Sequence, residues 1–510
     1  MPFAVWCIAL VLAIFLRHVP RWIYQHLRRI YYARKLPSIE PTEWITGNSR
    51  HVLPEIFTDT LQRMMARTRR NQAAMVRCDL TALMPCVIVY DTKIVQELLT
   101  AAIPKSDYLH SFTTSMLGCG LPVTNGKTWS TDRKLLNPAF HPRILPNYAE
   151  IYCRGTEVLI TKLKGQPLLG DADKSRNPVR IALADPMHAL VLDVLLQCSM
   201  SHQSNCQLEH CDIIPAADTW SKLVQRRVGN VLYHPDFIYT RTAEGQQHQE
   251  ACRRVHDIVD GLVAGRLEEL NCSSESPLRS RDMLGILLSA RTSDGRSMAA
   301  AEIRDQLVSF LLCGLDSTAD TLQWALYYLA GDPAVQEKCR KEAREVLCAG
   351  GAETPSNIYT GASQLTSITD VIMETLRLAP PMHRSIRELP EDATMGGYFL
   401  AEGTRIVVSL WALHHNPQIW HDPLKFDPSR FHADSGLAKQ PTSDAFLPFS
   451  TGPRNCIGQG FALALIRVIL VLLLLEFKFS QPADMHDMQS AMFVLSTRPK
   501  KPIELLMERV

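Results

Sequence analysis

The sequence predicts a mainly α-helical chain with small β-sheets, folded as a single catalytic domain behind an N-terminal membrane anchor. Three observations lead there. Helical periodicity dominates the middle and C-terminal half of the 510 residues. Strand-like runs are few and short. The chemically distinctive residues, spread from Trp129 to Cys456, make sense together only if they converge on one site. With 46% hydrophobic and 21% charged residues the chain can bury a large core. A formal net charge of +2, with no basic block interleaved with aromatics, excludes a nucleic-acid surface.

Residues 2–16 read PFAVWCIALVLAIFL and are followed by Arg17, Arg21, Arg28, Arg29, Arg34 and Lys35. A secretory signal would carry its charge before the apolar run and a small-residue cleavage site after it, and neither is evident. Residues 1–35 therefore read as an uncleaved anchor with its basic flank, and residues 36–510 as the catalytic domain. The run is shorter than the about 20 residues of a straight span, so a short tilted span and a segment lying in the interface both stay open. Basic residues on its C-terminal side keep the body cytoplasmic. Pro37 and Pro41 stiffen the hinge between the two.

Within the body, CVIVY at 86–90 and TRIVVSLWAL at 404–413 read as strands, and the polar stretches 165–177, 271–281 and 350–363 as surface connections. The run at 461–477, FALALIRVILVLLLLEF, is interrupted by Arg467 and follows directly on a cysteine loop, so it reads as a core helix rather than a span. Fourteen cysteines without a CxxC pair are too dilute for a disulfide scaffold and read mostly as reduced core thiols. His202, Cys206, His210 and Cys211, in SHQSNCQLEHC, are possible zinc ligands, but their spacing fits no zinc module and a polar loop is the preferred reading.

The strongest chemical signal is FSTGPRNCIG at 449–458. Gly452 and Gly458 permit tight turns and close approach of a flat cofactor to Cys456, which opens a long apolar helix. The helix N-terminus supplies partial positive charge and free N–H groups that stabilise sulfur as an anion. Arg454 suits a carboxylate. The full pattern F-x-x-G-x-R-x-C-x-G resembles the haem-binding signature of the cytochromes P-450. That resemblance implies the cytochrome P-450 fold, haem b as cofactor, the Cys456 thiolate as metal ligand and Phe449 packed on the thiolate side of the ring.

Other segments are similar to the same family. Glu374 and Arg377 in DVIMETLRLAPP, with Arg430 in PSRF, match its structural E-x-x-R and P-x-R-F elements. Trp129 and Arg133 lie four apart on one helical face, placed to address haem propionates. The resemblance adds Arg387, with Arg384 nearby as a rival for the same role. Gly314, Leu315, Asp316, Ser317 and Thr318 interrupt an apolar helix at a cost in stability that points to function. They correspond to the family's oxygen-activating turn, with Asp316 and Ser317 as the acid and alcohol and Thr318 able to share the role. Ser317 keeps the hydroxyl of the usual threonine and loses the methyl that restricts its rotamers.

Stretches such as RKLLNPAFHPRIL, HHNPQIW and AFLPFSTGPRNCIGQGFALA resemble the fatty-acid omega-hydroxylase group. The implied reaction is hydroxylation of a fatty acid or related lipid at or near its chain terminus, using O2. Cys313 stands where many members carry the glutamate that esterifies the haem, so a covalent haem link is not expected. With no complete GxGxxG and no room for a flavin domain, electrons must come from a separate NADPH-cytochrome reductase, with cytochrome b5 as a further donor. Lys134 and Arg467 are candidates for that docking face. The implied location is the endoplasmic reticulum membrane, with the catalytic domain facing the cytoplasm. A haem-binding sensor or carrier without turnover, a sterol or xenobiotic hydroxylase, and a haem-thiolate isomerase remain the alternatives.

Overall fold

A computed structural model describes residues 19–39, 48, 60–65, 74–81, 84–165, 178–272, 282–291, 295–349, 354–432, 444–485, 491–493 and 496–510. The apolar run at 2–16 lies outside these residues, as do Glu40 and Pro41 of the hinge and most of the polar stretches 165–177 and 271–281. The basic flank is visible as a helix, α1 (19–33). Ile30 and Ala33 bury its inner face, the Arg28 guanidinium pairs with Asp392 at 2.6 and 2.9 Å, and Arg29 Nε donates to Glu402 O at 2.7 Å. Trp22, Tyr24, Leu27 and Tyr31 stay exposed on the outer face. The flank is thus docked on the body.

The larger sheet contains β1 (Met75–Thr81), β2 (Met84–Val89), β3 (Arg384–Glu388) and β4 (Arg405–Ser409) in the order β1-β2-β4-β3. Only the β2–β4 pair is parallel. The two rival arginines, Arg384 and Arg387, lie three residues apart on β3 and so project from opposite faces. The predicted strand at 404–413 stops at Ser409. Its hydroxyl accepts from Ala412 N at 3.2 Å and caps a short helix, Leu410–His414, because a buried strand and a buried helical turn are equally apolar.

The helices that frame the site are α2 (Gly126–Leu136), α3 (Ala149–Lys164), α4 (Ala184–Met200), α5 (Ile213–Gly229), α6 (Ala243–Cys272), α7 (Ala300–Gly331), α8 (Thr366–Leu378) and α9 (Gln459–Glu476). Helix α7 runs through the body, packed on α4, α6, α8 and α9. Gly314 lies where α7 meets α4, and a Cβ there would come within 3.1 Å of Leu195 Cδ2, so close helix packing also accounts for this glycine. Helix α9 is apolar and long enough to cross a bilayer, yet Phe461, Leu465, Val468 and Ile469 are buried against the rest of the core. The 350–363 connection is corrected in part. Thr354 accepts from Asn357 N and Pro355 opens the first turn of a helix, Pro355–Gln364, that buries Ile358 and Ala362.

Glu374 and Arg377 of α8 are fully buried. Arg377 Nε and Nη2 donate to the two carboxylate oxygens at 2.7 and 2.8 Å. The remaining guanidinium N–H groups reach His414 O, Pro423 O and Lys425 O at 3.0, 2.7 and 3.2 Å. Glu374 Oε1 also accepts from Asp427 N at 2.9 Å and Arg430 Nε at 3.3 Å. The cluster ties α8 to the segment that leads into the cysteine loop.

Removing one partner strands the other as a buried charge. Arg377→Met should cost about 3–5 kcal/mol in urea unfolding, and the Glu374→Leu/Arg377→Met double variant clearly less than the sum of the two single changes. Additive losses would show that the pair is not coupled. A second expectation concerns pH. Burial, and then Arg227, lowers the His248 pKa to about 4, while its ring bonds Ser115 Oγ at 2.6 Å. An unfolded histidine takes up its proton near pH 6.5, so this depressed group favours the fold fully above that pH, and the advantage is lost as pH falls towards 4. The stability gap between the wild type and His248→Gln should therefore narrow as pH falls from about 6.5 to about 4; a gap that widens would refute it.

Candidate functional site

The cysteine loop turns back on itself through a hydrogen bond from Cys456 N to Phe449 O at 2.9 Å. Gly452 has φ +73°, and a Cβ would lie 2.3 Å from Leu99 O, so the loop can seat against that carbonyl only with glycine. Gly458 differs from the sequence expectation. Its φ is −86°, and a Cβ would meet Phe140 and Cys456 Sγ at ordinary contact distances, so no turn requires glycine there. The Cys456 sulfur accepts hydrogen bonds from Gly458 N and Gln459 N at the start of α9. Burial nevertheless raises the thiol pKa, and these two bonds with Arg133 only oppose that rise. A thiolate here calls for a further electrophilic partner, as a metal ligand would have.

Arg133 braces this loop. Its Nη1 and Nη2 donate to Asn455 O and Asn455 Oδ1 at 2.7 and 2.8 Å, so the guanidinium is engaged beside the cysteine. Arg454 stacks over Trp129 with its guanidinium carbon 4.2 Å from the ring centroid. Its Nη2 donates to Thr124 O at 2.8 Å and to Asn125 Oδ1. Arg387 is 2% exposed and spends Nη1 on Ser385 Oγ at 2.7 Å and Ile386 O at 3.1 Å.

A third cation, Lys105, was not singled out from sequence; nothing in the local pattern distinguishes it. Its Nζ donates to Pro122 O at 2.7 Å. Burial, then Arg454 and Arg387, push its pKa down to about 7. Burial likewise lowers Arg387 and Arg454 to about 10, with Arg387 and Arg133 adding to the effect on Arg454. Among the described residues, no ion pair joins Lys105, Arg387 or Arg454 to a carboxylate. Asp107, which acts on Arg454, accepts at Oδ1 from Asn125 Nδ2 at 2.6 Å. Arg387 Nε and Arg454 Nη1 are buried with no hydrogen-bond partner among the described residues. Unmatched donors and three converging cations fit the carboxylate edge of an anionic cofactor such as a haem propionate pair.

Cys313 and Cys456 are both solvent-accessible, yet enclosure by protein raises the pKa of each. They face an interior space rather than the outer surface. Cys313 also feels Lys105 and Cys456 electrostatically, which gathers cation, cysteine loop and α7 around one volume. Helical geometry places Ser317 one turn from Cys313, and its Oγ donates to Cys313 O at 2.6 Å. Helix α7 remains α-helical throughout this stretch. Thr318 is 2% exposed and rotated by about 100° from Ser317, so it packs into the core instead of sharing the serine's position.

Asp316 is held from the other side. Its Oδ2 accepts from Arg498 Nη2 at 2.5 Å, and its Oδ1 lies 3.5 Å from His188 Nε2 of α4. Burial alone would raise its pKa, but His188 and Arg498 outweigh that and lower it. Arg498 Nη1 also pairs with Asp218 of α5 at 2.6 Å. Asp320, one turn further along α7, is pushed up to about 7 by burial and then by Asp316; its Oδ2 accepts from Ser496 Oγ at 2.9 Å. His188, Asp320 and Arg498 were not anticipated from sequence, because their partners lie far away along the chain.

Lys134 is exposed, whereas Arg467 is partly buried and donates from Nε to Thr369 Oγ1 of α8 at 3.2 Å. Among the described residues, no group of three His, Cys, Asp or Glu side chains could hold a metal ion.

The family model for Cytochrome P450 matches residues 37–507. The chain is 32% identical over 489 residues to Cytochrome P450 4F5 of Rattus norvegicus, covering 93% of this chain and 89% of that protein. It is 31% identical over 475 residues to Cytochrome P450 4F2 of Homo sapiens, covering 91% and 88%, and 30% identical over 513 residues to Cytochrome P450 4X1 of Mus musculus, covering 99% and 96%. Thiol loop, converging cations and interrupted helix thus lie in a chain that belongs to the cytochrome P450 family, monooxygenases that use haem b with a thiolate iron ligand.

Proposed function

We propose that this monooxygenase hydroxylates a fatty acid or related lipid at or near the chain terminus, at the cytoplasmic face of the endoplasmic reticulum membrane, with electrons from a separate NADPH-cytochrome reductase. The observation that carries the site assignment is the Cys456 sulfur, facing the enclosed space and accepting two amide hydrogen bonds at the start of α9. In this reading Cys456 ligates iron, Phe449 packs beneath the ring, and Gly458 leaves room for it. Arg387, Arg454 and Lys105 meet the propionates, Trp129 supports Arg454, and Arg133 stabilises the loop through Asn455. Haem held there supplies O2 activation for insertion of one oxygen atom into a C–H bond.

The chain's own residues manage protons and water around it. Asp316 stays a carboxylate against Arg498 and His188, and Ser317 holds its proton on Cys313 O until it turns towards the enclosed space. Cys313 cannot form the ester that a glutamate would, so polar contacts and the thiolate hold the cofactor. The substrate class rests on similarity to the omega-hydroxylase group. Outward Trp22, Tyr24 and Tyr31 on α1 support seating at a membrane interface. An open cleft of about 540 Å³, lined in part by Lys134, Arg143 and Ser289, supports docking of an electron donor, with cytochrome b5 as a further candidate.

Reconstitution with an NADPH reductase and a panel of fatty acids and sterols, with hydroxyl positions mapped by mass spectrometry, tests the proposal. Product at or near the chain end supports it; sterol hydroxylation would reassign the substrate. The ion-paired Asp316 and the internally bonded Ser317 favour a haem carrier without turnover as the second reading, which predicts no NADPH-dependent product. Cys456→Ala should abolish the thiolate-type carbon monoxide spectrum, and a retained spectrum would remove the central assignment. Asp316→Asn should keep that spectrum while slowing hydroxylation by about 10²-fold and diverting NADPH electrons to peroxide.

A further inference from the structure

Arg498, which holds the α7 carboxylate Asp316, is itself shared. It sits on the short strand Thr497–Pro499, whose base is fixed. Thr497 N donates to Pro381 O at 2.9 Å, Thr497 Oγ1 to Pro380 O at 2.6 Å, and Ser496 Oγ to Asp320 Oδ2 at 2.9 Å. From this base one guanidinium meets three carboxylates. Nη2 donates to Asp316 Oδ2 at 2.5 Å and Nη1 to Asp218 Oδ1 of α5 at 2.6 Å, while Nε lies 3.9 Å from Asp320 Oδ2, beyond hydrogen-bond range. The other oxygen of Asp218 lies 2.7 Å from Lys222 Nζ, one turn along α5. Exposure rises outward along this chain of charges, from 14% for the Arg498 side chain to 36% for Asp218 and 59% for Lys222. The inner end is held in protein, and the outer carboxylate reaches the surface on a different helix.

We propose that Asp218 is a positioning residue for hydroxylation: by holding one arm of Arg498 it limits that cation's grip on Asp316, so that the Asp316 carboxylate can take up and release a proton. This inference rests on the proton role proposed above for Asp316. The groups that face Asp316 are Arg498 from the strand, His188 from α4, and Cys313 and Asp320 on α7 itself. Of these, Arg498 is the permanent positive charge. A carboxylate beside a guanidinium takes up a proton less readily the less that charge is shared. Asp218 acts only through Arg498. With Asp218 neutral, Nη1 loses its charged partner and the full charge of Arg498 falls on Asp316 and Asp320. The proton in question comes from water, binds the Asp316 carboxylate and leaves it towards the enclosed space; no electron moves with it.

The test compares the haem-loaded wild type with Asp218→Asn, Asp218→Glu, Lys222→Gln and Asp316→Asn, each reconstituted with an NADPH reductase and dodecanoate. Asp218→Asn should lower kcat about fivefold with KM unchanged, raise the share of NADPH electrons recovered as hydrogen peroxide, and enlarge the solvent deuterium isotope effect on kcat. Asp218→Glu should recover most of the rate. Lys222→Gln, which leaves Asp218 wholly to Arg498, should lower the peroxide share. An unchanged peroxide share and isotope effect in Asp218→Asn, while Asp316→Asn slows turnover, would overturn the inference and leave the proposed function standing. If Asp316→Asn leaves hydroxylation unchanged, the proton role of Asp316 falls and the inference with it. Urea unfolding reads the shared cation without substrate. If the two carboxylates compete for Arg498, Asp316→Asn should lower the midpoint further in the Asp218→Asn background than in the wild type; equal shifts would show that Arg498 is not shared, and the inference would fail.

Discussion

The body depends on one buried electrostatic constraint, the Glu374–Arg377 pair with Arg430. Two ions taken fully out of water must have their donors and acceptors matched, or several kcal/mol are lost. Here the matching groups include the backbone carbonyls of His414, Pro423 and Lys425 and the backbone amide of Asp427. Meeting the charges therefore dictates the path of an otherwise irregular segment. Further along the sequence, in the cysteine loop, Gly452 can seat against Leu99 O. The cluster itself takes no part in the chemistry.

The second constraint has the opposite sign. Lys105, Arg387 and Arg454 converge without a carboxylate ion pair among the described residues, so their mutual repulsion and desolvation await compensation from an anionic group. If haem propionates fill that role as proposed, cofactor binding adds directly to the stability of the fold, because the unfolded chain has no such cluster. Helix α7 shows a related economy: Gly314 serves helix packing, while the neighbouring Asp316 and Ser317 present polar groups that are already hydrogen-bonded.

What could be read from sequence was local. The Cys456 loop, the Glu374–Arg377 spacing and the core character of α9 are each written in a short contiguous stretch, where periodicity and turn chemistry act directly. The strand at 404–413 was too long because apolarity alone does not separate strand from buried helix, although Ser409 was a visible capping residue. Lys105, His188 and Arg498 were illegible for another reason. Their significance comes from partners brought close by tertiary packing, and no local pattern encodes that meeting.

The Asp316–Arg498 contact spans 182 residues of sequence. During synthesis, Asp316 emerges from the ribosome long before the arginine that balances it. His188 has already been made, but the counter-charge of Arg498 arrives only with the last stretch of the body. The acidic turn of α7 is therefore assembled late, and a nascent chain can fold most of its helical core before that carboxylate acquires its final electrostatic environment.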